Sequence, residues 1–122
     1  MMAKVAITGP SGCGKSTLAK QYKRVCSSDD YKAMGWSEAS EHLSGLFDSP
    51  DHDTFEGTTI PRATRKWLDE HRDGRPFDHL IILTQPWREQ TPGQVNQGKG
   101  ILTVLREIEP ELRARGVNVE RR

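Results

Sequence analysis

The segment from residue 9 to residue 17 constrains this chain more than any other part of its sequence. It reads Gly9-Pro10-Ser11-Gly12-Cys13-Gly14-Lys15-Ser16-Thr17, which fits the pattern G-x-x-x-x-G-K-[ST] at every fixed position. A short apolar run at residues 5–7 precedes it and a helical pattern follows, so the strand, loop and helix order that this pattern requires is present. Such a loop wraps phosphates, because its backbone N–H groups and the start of the following helix attract phosphate oxygens.

The same segment assigns roles to individual residues. We expect residues 9–17 to bind a nucleoside triphosphate, with the Lys15 ammonium beside the β- and γ-phosphates and the Ser16 hydroxyl on Mg²⁺. The glycine order differs from G-x-G-x-x-G, which disfavours a nicotinamide or flavin site. No Asn-Lys-x-Asp guanine motif is present. ATP is therefore the working expectation, and the choice between ATP and GTP stays open.

Length and composition limit the architecture to one small domain, residues 1–122, with room for a minimal α/β nucleotide-binding core. The formal net charge of +1 neither favours nor excludes nucleic acid, although basic residues outnumber acidic ones in the second half. Cys13 and Cys26 are expected about 20 Å apart along a helix, too far for a disulfide, which indicates reduced thiols and a cytoplasmic protein. Neither a membrane span nor a signal peptide is predicted.

Strand and helix patterns alternate along the chain, which predicts an α/β fold with a mostly parallel sheet covered on both faces. Strands are predicted at 4–8, 25–28, 54–57, 79–84 and 117–119, and helices at 15–25, 37–47, from 60 onward and 101–114. Segment 85–100 is polar and contains several prolines and glycines, so we expect a mobile, lid-like loop there. Pro110 is expected to kink or break the last helix.

Two acidic segments follow predicted strands, at the edge where open parallel sheets collect ligands. Asp30, or its neighbour Asp29, could accept the proton of a substrate hydroxyl as a general base or lie in the outer shell of Mg²⁺. Glu56 could hold Mg²⁺ through water, which is the Walker B role, and Gly57 would let the chain turn close to the phosphates. The alternatives are an exposed acidic turn and an ordinary carboxylate at a strand end.

Several basic, amide and aromatic side chains are candidates for substrate contacts. Arg62 and Arg65 follow on the next predicted helix, and arginine suits bidentate phosphate contacts better than lysine does. Arg88 lies in the predicted lid, whose closure would bring positive charge over the transferring phosphate. Trp36 could stack on a nucleobase or pack in the core. The predicted lid also holds three candidates for contacts with a base or a phosphate: Gln94, Gln97 and Lys99.

In this order, the motifs resemble the small P-loop kinases of the nucleoside and nucleotide kinase group. Asp29-Asp30-Tyr31 is similar to the acceptor-site motif of uridine and nicotinamide riboside kinases, where the acidic residue stands beside the hydroxyl that is phosphorylated. The resemblance implies a P-loop NTPase three-layer sandwich with a roughly five-stranded parallel sheet, in which the phosphate-loop strand is central. Segments 35–38, 56–63 and 91–94 resemble small P-loop kinases of bacteriophages, some of which phosphorylate 5-hydroxymethyluracil within DNA.

The resemblance therefore implies a kinase that transfers the γ-phosphoryl group of ATP to a hydroxyl, with 5-hydroxymethyluracil in phage DNA as the leading acceptor and the host cytoplasm as its location. The catalytic set would be Lys15, Asp30 or Asp29, Arg62 and Arg88, with Ser16 and Glu56 on the metal. The chain lacks a long insertion that could enclose a nucleoside monophosphate. The alternatives are a small-molecule kinase for a nucleoside, nucleotide or sugar acid, an ATPase switch, and a domain that only binds nucleotide.

Overall fold

The computed structural model describes residues 4–9, 15–22, 24–27, 35–49, 52–84 and 91–122, with the backbone alone for Lys15, Ser16, Trp36 and Ser37. Strands and helices alternate along these segments. They run in the order β1 (Val5–Thr8), α1 (Lys15–Ala19), β2 (Val25–Ser27), α2 (Trp36–Leu46), β3 (Thr54–Glu56), α3 (Ile60–Glu70), β4 (His79–Ile82), α4 (Pro92–Ala114) and β5 (Asn118–Arg121).

The five strands form one sheet in the order β2-β3-β1-β4-β5, and each neighbouring pair is parallel. The prediction of an α/β fold with a parallel sheet is confirmed. β1, the strand that leads into the phosphate-loop sequence, lies in the middle of the sheet, as the resemblance implies. All parallel strands end at the same edge, so the carboxyl ends of β1, β2, β3 and β4 lie side by side.

Helices cover the two faces of the sheet unequally. On one face, α2, α3 and α4 pack on a large apolar cluster in which Phe47 meets Phe55 and Phe77 edge to face, with ring centroids 4.9 and 5.5 Å apart. On the other face, α1 packs on a smaller cluster built around Ile7 and Ile81. The described part of the chain is thus a three-layer α/β/α arrangement. Successive residues of β1 alternate between these two faces, as a strand requires.

α3 follows the predicted periodicity closely. Its buried residues recur at helical spacing: Ile60, Pro61, Ala63, Thr64, Trp67 and Leu68. All of these except Pro61 and Thr64 belong to the larger cluster. Pro61 occupies the first turn, where its missing N–H costs no helical hydrogen bond. The prediction that Trp67 is a core residue is confirmed, since it is 4% exposed. Its indole N–H also donates to the Asp48 carboxylate at 3.2 Å, which ties α3 to the turn after α2.

α1 and α4 differ from the sequence predictions. α1 ends at Ala19, and Val25 belongs to β2 instead of to the helix. α4 begins at Pro92, so the prediction that the loop extends to residue 100 is wrong. Residues 85–90 of the predicted lid lie outside the described residues. A capping box starts α4, because the Thr91 hydroxyl accepts from the backbone N–H of Gln94 while the Gln94 side chain accepts from the N–H of Thr91.

Of the two outcomes predicted for Pro110, a kink or a break in the last helix, the break is wrong. α4 continues through Pro110 to Ala114. Pro110 has no N–H to donate to the carbonyl of Arg106, one turn earlier. Both residues lie on the exposed side of the helix, so water can hydrogen-bond that carbonyl instead. α4 has 23 residues, yet none of the described helices combines the length and apolarity that crossing a bilayer needs.

Candidate functional site at the carboxyl edge of the sheet

The start of the phosphate-loop sequence is packed directly against β4. The N–H of Leu83 donates to the carbonyl of Thr8 at 2.8 Å, which holds the end of β1 to the segment after β4. Gly9 follows with φ of +152°, and a Cβ at this position would lie 2.3 Å from the carbonyl oxygen of Leu83. Only glycine fits, because the obstacle is backbone and the conformation is one that other residues rarely adopt.

The rest of the phosphate-loop sequence is described only in part. Pro10, Ser11, Gly12, Cys13 and Gly14 lie outside the described residues. The described chain resumes at Lys15, the first residue of α1, and continues with Ser16 and the exposed Thr17. The segment therefore connects the central strand to α1, which is the context that its sequence predicts.

Three further candidates also lie outside the described residues. Asp29 and Asp30 come two and three residues after Ser27, the last residue of β2. Arg88 lies between β4 and α4. Their roles in catalysis stay predictions.

Glu56 is a buried carboxylate at the same edge. It is the last residue of β3, is 3% exposed, and accepts a hydrogen bond from the Ser27 hydroxyl. In the sheet register Glu56 stands between Ile7 of β1 and Ser27 of β2, and aligned residues of parallel strands share a face. Ile7 belongs to the cluster under α1. Glu56 is therefore on the α1 face, the face on which the helix that follows the phosphate loop lies.

The donor atoms available here suit Mg²⁺. A carboxylate and hydroxyl groups are hard oxygen ligands, which Mg²⁺ prefers, and Mg²⁺ in phosphate sites uses one or two protein groups together with substrate oxygens and water. Among the described residues, no cluster of three or more His, Cys, Asp or Glu could enclose a metal ion. Glu56 and, from its place in the motif, Ser16 are the residues that would hold it.

The exit of β3 is tied to the exit of β1. The N–H of Gly57 donates to the carbonyl of Ile7 at 3.0 Å, and the Thr8 hydroxyl donates to the carbonyl of Gly57 at 2.8 Å. Gly57 itself has φ of +137°, which lets the chain turn away from β3 beside the phosphate-loop sequence. α3 begins three residues after Gly57, at Ile60, so its first turn is fixed to this edge of the sheet.

A cleft of about 130 Å³ lies between the first turn of α3 and the first half of α4, and we call it the α3–α4 cleft. Thr58, Pro61 and Arg62 line it from the α3 side. Its α4 side is formed by Asn96, Gln97, Gly100, Ile101 and Val104. The structure thus brings two of the predicted contact residues, Arg62 and Gln97, to one place.

The other predicted contacts are arranged differently. Arg65 forms an ion pair with Glu107 of α4 at 3.3 Å and does not line the cleft. The side-chain oxygen of Gln94 is engaged in the cap of α4. Lys99 is exposed on α4 and is not a lining residue, and Trp36 is the first residue of α2.

Sequence reasoning missed several residues of this edge and of the α3–α4 cleft, among them Thr8, Ser27, Thr58, Asn96 and Gly100. Thr8 and Ser27 carried a usable signal, because both are polar residues at the carboxyl ends of strands. Asn96 and Gly100 carried none, since their place beside α3 depends on how two helices pack.

Comparisons of the chain with protein-family models, with curated proteins and with solved structures found no match.

Proposed function

We propose that this protein is an ATP-dependent kinase that transfers a phosphoryl group to a hydroxyl acceptor. One observation carries the proposal. The phosphate-loop sequence joins the central strand β1 to α1, and the buried Glu56 carboxylate ends the neighbouring strand on the same face. A triphosphate bound at this edge would contact both the loop and the Glu56 carboxylate. A phosphate loop and a carboxylate that helps to hold Mg²⁺ are common to P-loop enzymes that transfer phosphoryl groups.

Each residue would have a separate task in this enzyme. The backbone of residues 9–14 and the Lys15 ammonium would hold the β- and γ-phosphates. Ser16 and Glu56 would hold Mg²⁺, which when bound neutralises charge on the phosphates. Ser27 would keep the Glu56 carboxylate in place through its hydrogen bond. These tasks are electrostatic and positional, which is what this reaction demands of a protein.

The reaction would proceed by displacement at the γ-phosphorus. The acceptor oxygen forms a bond to the γ-phosphorus, and the bond from that phosphorus to the β–γ bridging oxygen breaks. ADP leaves with the electron pair. Asp30, or Asp29, would accept the proton of the acceptor hydroxyl as general base. Arg62 and Arg88 would stabilise the negative charge on the transferring group.

The acceptor we favour is the 5-hydroxymethyl group of a uracil base held in DNA. Support comes from the resemblance of segments 35–38, 56–63 and 91–94 to bacteriophage kinases. The chain also lacks a long insertion that could enclose a free nucleoside monophosphate.

The test is transfer of labelled γ-phosphate from ATP to a panel of acceptors. The panel contains free nucleosides, deoxynucleoside monophosphates, unmodified DNA and DNA that contains 5-hydroxymethyluracil. Label in the modified DNA alone supports the proposal in full. Label in a free nucleoside or nucleotide supports a small-molecule kinase. Release of inorganic phosphate alone would indicate an ATPase switch and overturn the proposal of kinase activity.

Two pairs of variants make the assay specific. Lys15→Met and Asp30→Asn should each lower transfer about 100-fold or more, because they remove the phosphate-binding charge and the general base. Lys20→Met and Asp69→Asn make the same chemical changes at exposed positions outside the site. Asp30→Asn should also leave ATP binding in place. Wild-type transfer by Asp30→Asn would exclude this aspartate as the base.

A further inference from the structure

The α3–α4 cleft opens beside the edge at which transfer is proposed. Thr58, on its wall, follows Glu56 by two residues, so the two Cα atoms are at most about 7 Å apart. The hydrogen bonds between Gly57 and the end of β1 hold this wall next to the start of the phosphate loop. A group bound in the cleft therefore lies within reach of a phosphate bound at the edge.

The lining combines an apolar floor with amide groups. Pro61, Ile101 and Val104 supply apolar surface, while Asn96 and Gln97 each place a side chain with both a donor and an acceptor at the cleft. This combination suits a nucleobase, whose flat faces pack on apolar surface and whose edge pairs with an amide through two hydrogen bonds. A phosphate group fits less well, since Arg62 is the one cationic side chain among the described lining residues.

The volume of the cleft favours a small base. An enclosed cavity of about 150 Å³ admits benzene, so a cleft of about 130 Å³ has the scale of one six-membered ring and is small for two fused rings. Gly100 helps to create this space. A Cβ added to Gly100 would meet nothing within 4 Å. Since Asn96 and Gln97 lie one turn before Gly100 on α4, the absent side chain leaves room directly beside the two amides.

We propose that the α3–α4 cleft is the acceptor-base subsite of the kinase and that it takes a pyrimidine in preference to a purine. The proposal rests on the proposed function and adds to it the place in the fold where the acceptor base is held and the residues that select it. Asn96 and Gln97 hydrogen-bond the edge of the base, and the apolar floor contacts its face. The same base can be presented by a free nucleoside or by a DNA strand, and the test separates these sources.

Binding is measured first, without ATP, so that the result does not depend on catalysis. The ¹⁵N-labelled protein is titrated with thymidine and, separately, with 2′-deoxyguanosine. We expect thymidine to shift the amide resonances of Thr58, Gln97 and Gly100 and to bind about tenfold or more tightly than 2′-deoxyguanosine. Equal binding of the two nucleosides, or shifts that avoid the cleft, would overturn the proposal.

Gly100→Leu fills the cleft and should weaken thymidine binding about tenfold or more. Gly45→Leu is the matched control, because Gly45 is an exposed glycine of α2 with open space around its Cβ position. Leucine favours helix more than glycine does, so both variants should keep a melting temperature at or above that of the wild type. Wild-type thymidine affinity in a folded Gly100→Leu protein would contradict the assignment.

Transfer kinetics then connect the cleft to the reaction. The acceptors are 5-hydroxymethyl-2′-deoxyuridine and a DNA oligonucleotide that contains it. Asn96→Leu should raise the KM for whichever acceptor is used by about tenfold, the value of a lost amide–base pair, with a smaller effect on kcat. If Asn96→Leu transfers phosphate with an unchanged KM, the subsite is refuted while the proposed kinase activity is retained. Thymidine binding in the cleft without transfer to any acceptor supports the base site and refutes the kinase.

Discussion

The close approach of Gly9 to β4 yields a quantitative prediction about a single methyl group. In Gly9→Ala the new Cβ would lie 2.3 Å from the Leu83 carbonyl oxygen, where real contacts of this kind essentially never fall below 3.0 Å. The obstacle is the backbone of Leu83, directly after β4, which a hydrogen bond holds to Thr8 of β1, so the start of the loop has to move. Overpacking and an unfavourable backbone conformation together should cost about 2–4 kcal/mol of unfolding free energy.

The matched change is Gly45→Ala, in the last turn of α2. Its Cβ would meet nothing within 4 Å, and alanine favours helix by about 0.5–1 kcal/mol over glycine. The same substitution should therefore lower the free energy of unfolding at Gly9 and raise it at Gly45. For a domain of this size, thermal unfolding should show the melting temperature of Gly9→Ala lowered by roughly 10 °C and that of Gly45→Ala raised by about 3 °C.

Adding ATP and Mg²⁺ to the same melts links this packing to the site. At a ligand concentration of about 100 times Kd, wild-type protein should gain about 2.7 kcal/mol from binding. Gly45→Ala should show the same gain, whereas Gly9→Ala should lose most of it because the loop begins in the wrong place. An unchanged melting temperature for Gly9→Ala, or a full response of that variant to ATP, would refute the reasoning.

Three other predictions concern the packing around the site. Lys4→Met removes the ammonium that donates to two backbone carbonyls after α2, so urea unfolding should show a loss of about 1–2 kcal/mol; equal midpoints for Lys4→Met and wild type would contradict this. The hydrogen bond from Arg121 holds the pKa of Glu109 below its usual value. The Arg121–Glu109 ion pair therefore stabilises the fold fully above about pH 4.3, the pKa expected for this carboxyl in the unfolded chain. That stabilisation is lost as the pH falls through the lower pKa of the folded state. Glu109→Gln should accordingly lower the urea midpoint at pH 7 by more than at pH 3, and equal deficits at both pH values would oppose the assignment. Trp67→Phe loses the hydrogen bond to Asp48 but keeps an aromatic ring in the core, so calorimetry should show about 1 kcal/mol lost against about 3–5 for Trp67→Ala; similar losses would exclude packing as the main contribution.

The parts of the fold that could be predicted from the sequence are those with a strong local signal. The run Leu80–Leu83 is apolar throughout because β4 is covered on both faces. The predicted strand begins where β4 begins and ends two residues beyond it. α3 was found because its buried residues repeat at helical spacing. The start of α4 was missed because three glycines between residues 93 and 100 outweighed the Thr91–Gln94 capping signature.

The residues of the candidate site also differ in whether the local sequence predicts their position. Gly9 and Glu56 could be placed at the carboxyl edge of the sheet from the sequence, since one belongs to a motif and the other ends a strand, and Arg62 could be placed at the start of α3. The hydrogen bond from Ser27 to Glu56 could not, because it depends on which residues of β2 and β3 stand opposite each other. The α3–α4 cleft could not be predicted either, since its walls are about 40 residues apart along the chain and meet only through packing on the sheet.

In the proposed kinase, the exit of β3 would let one small edge of the sheet serve two substrates. Glu56 is on the α1 face, toward the helix that follows the phosphate loop, while the first turn of α3 packs on the opposite face beside α4. Gly57 and Thr58 carry the chain from one face to the other within two residues, and the bonds to Ile7 and Thr8 fix this passage to the start of the phosphate loop. A phosphate donor held on one face and an acceptor base held on the other would therefore be positioned by the same short stretch of backbone. Because that stretch is hydrogen-bonded to the central strand, the distance between the two substrates would be set by the sheet itself and not by a mobile loop.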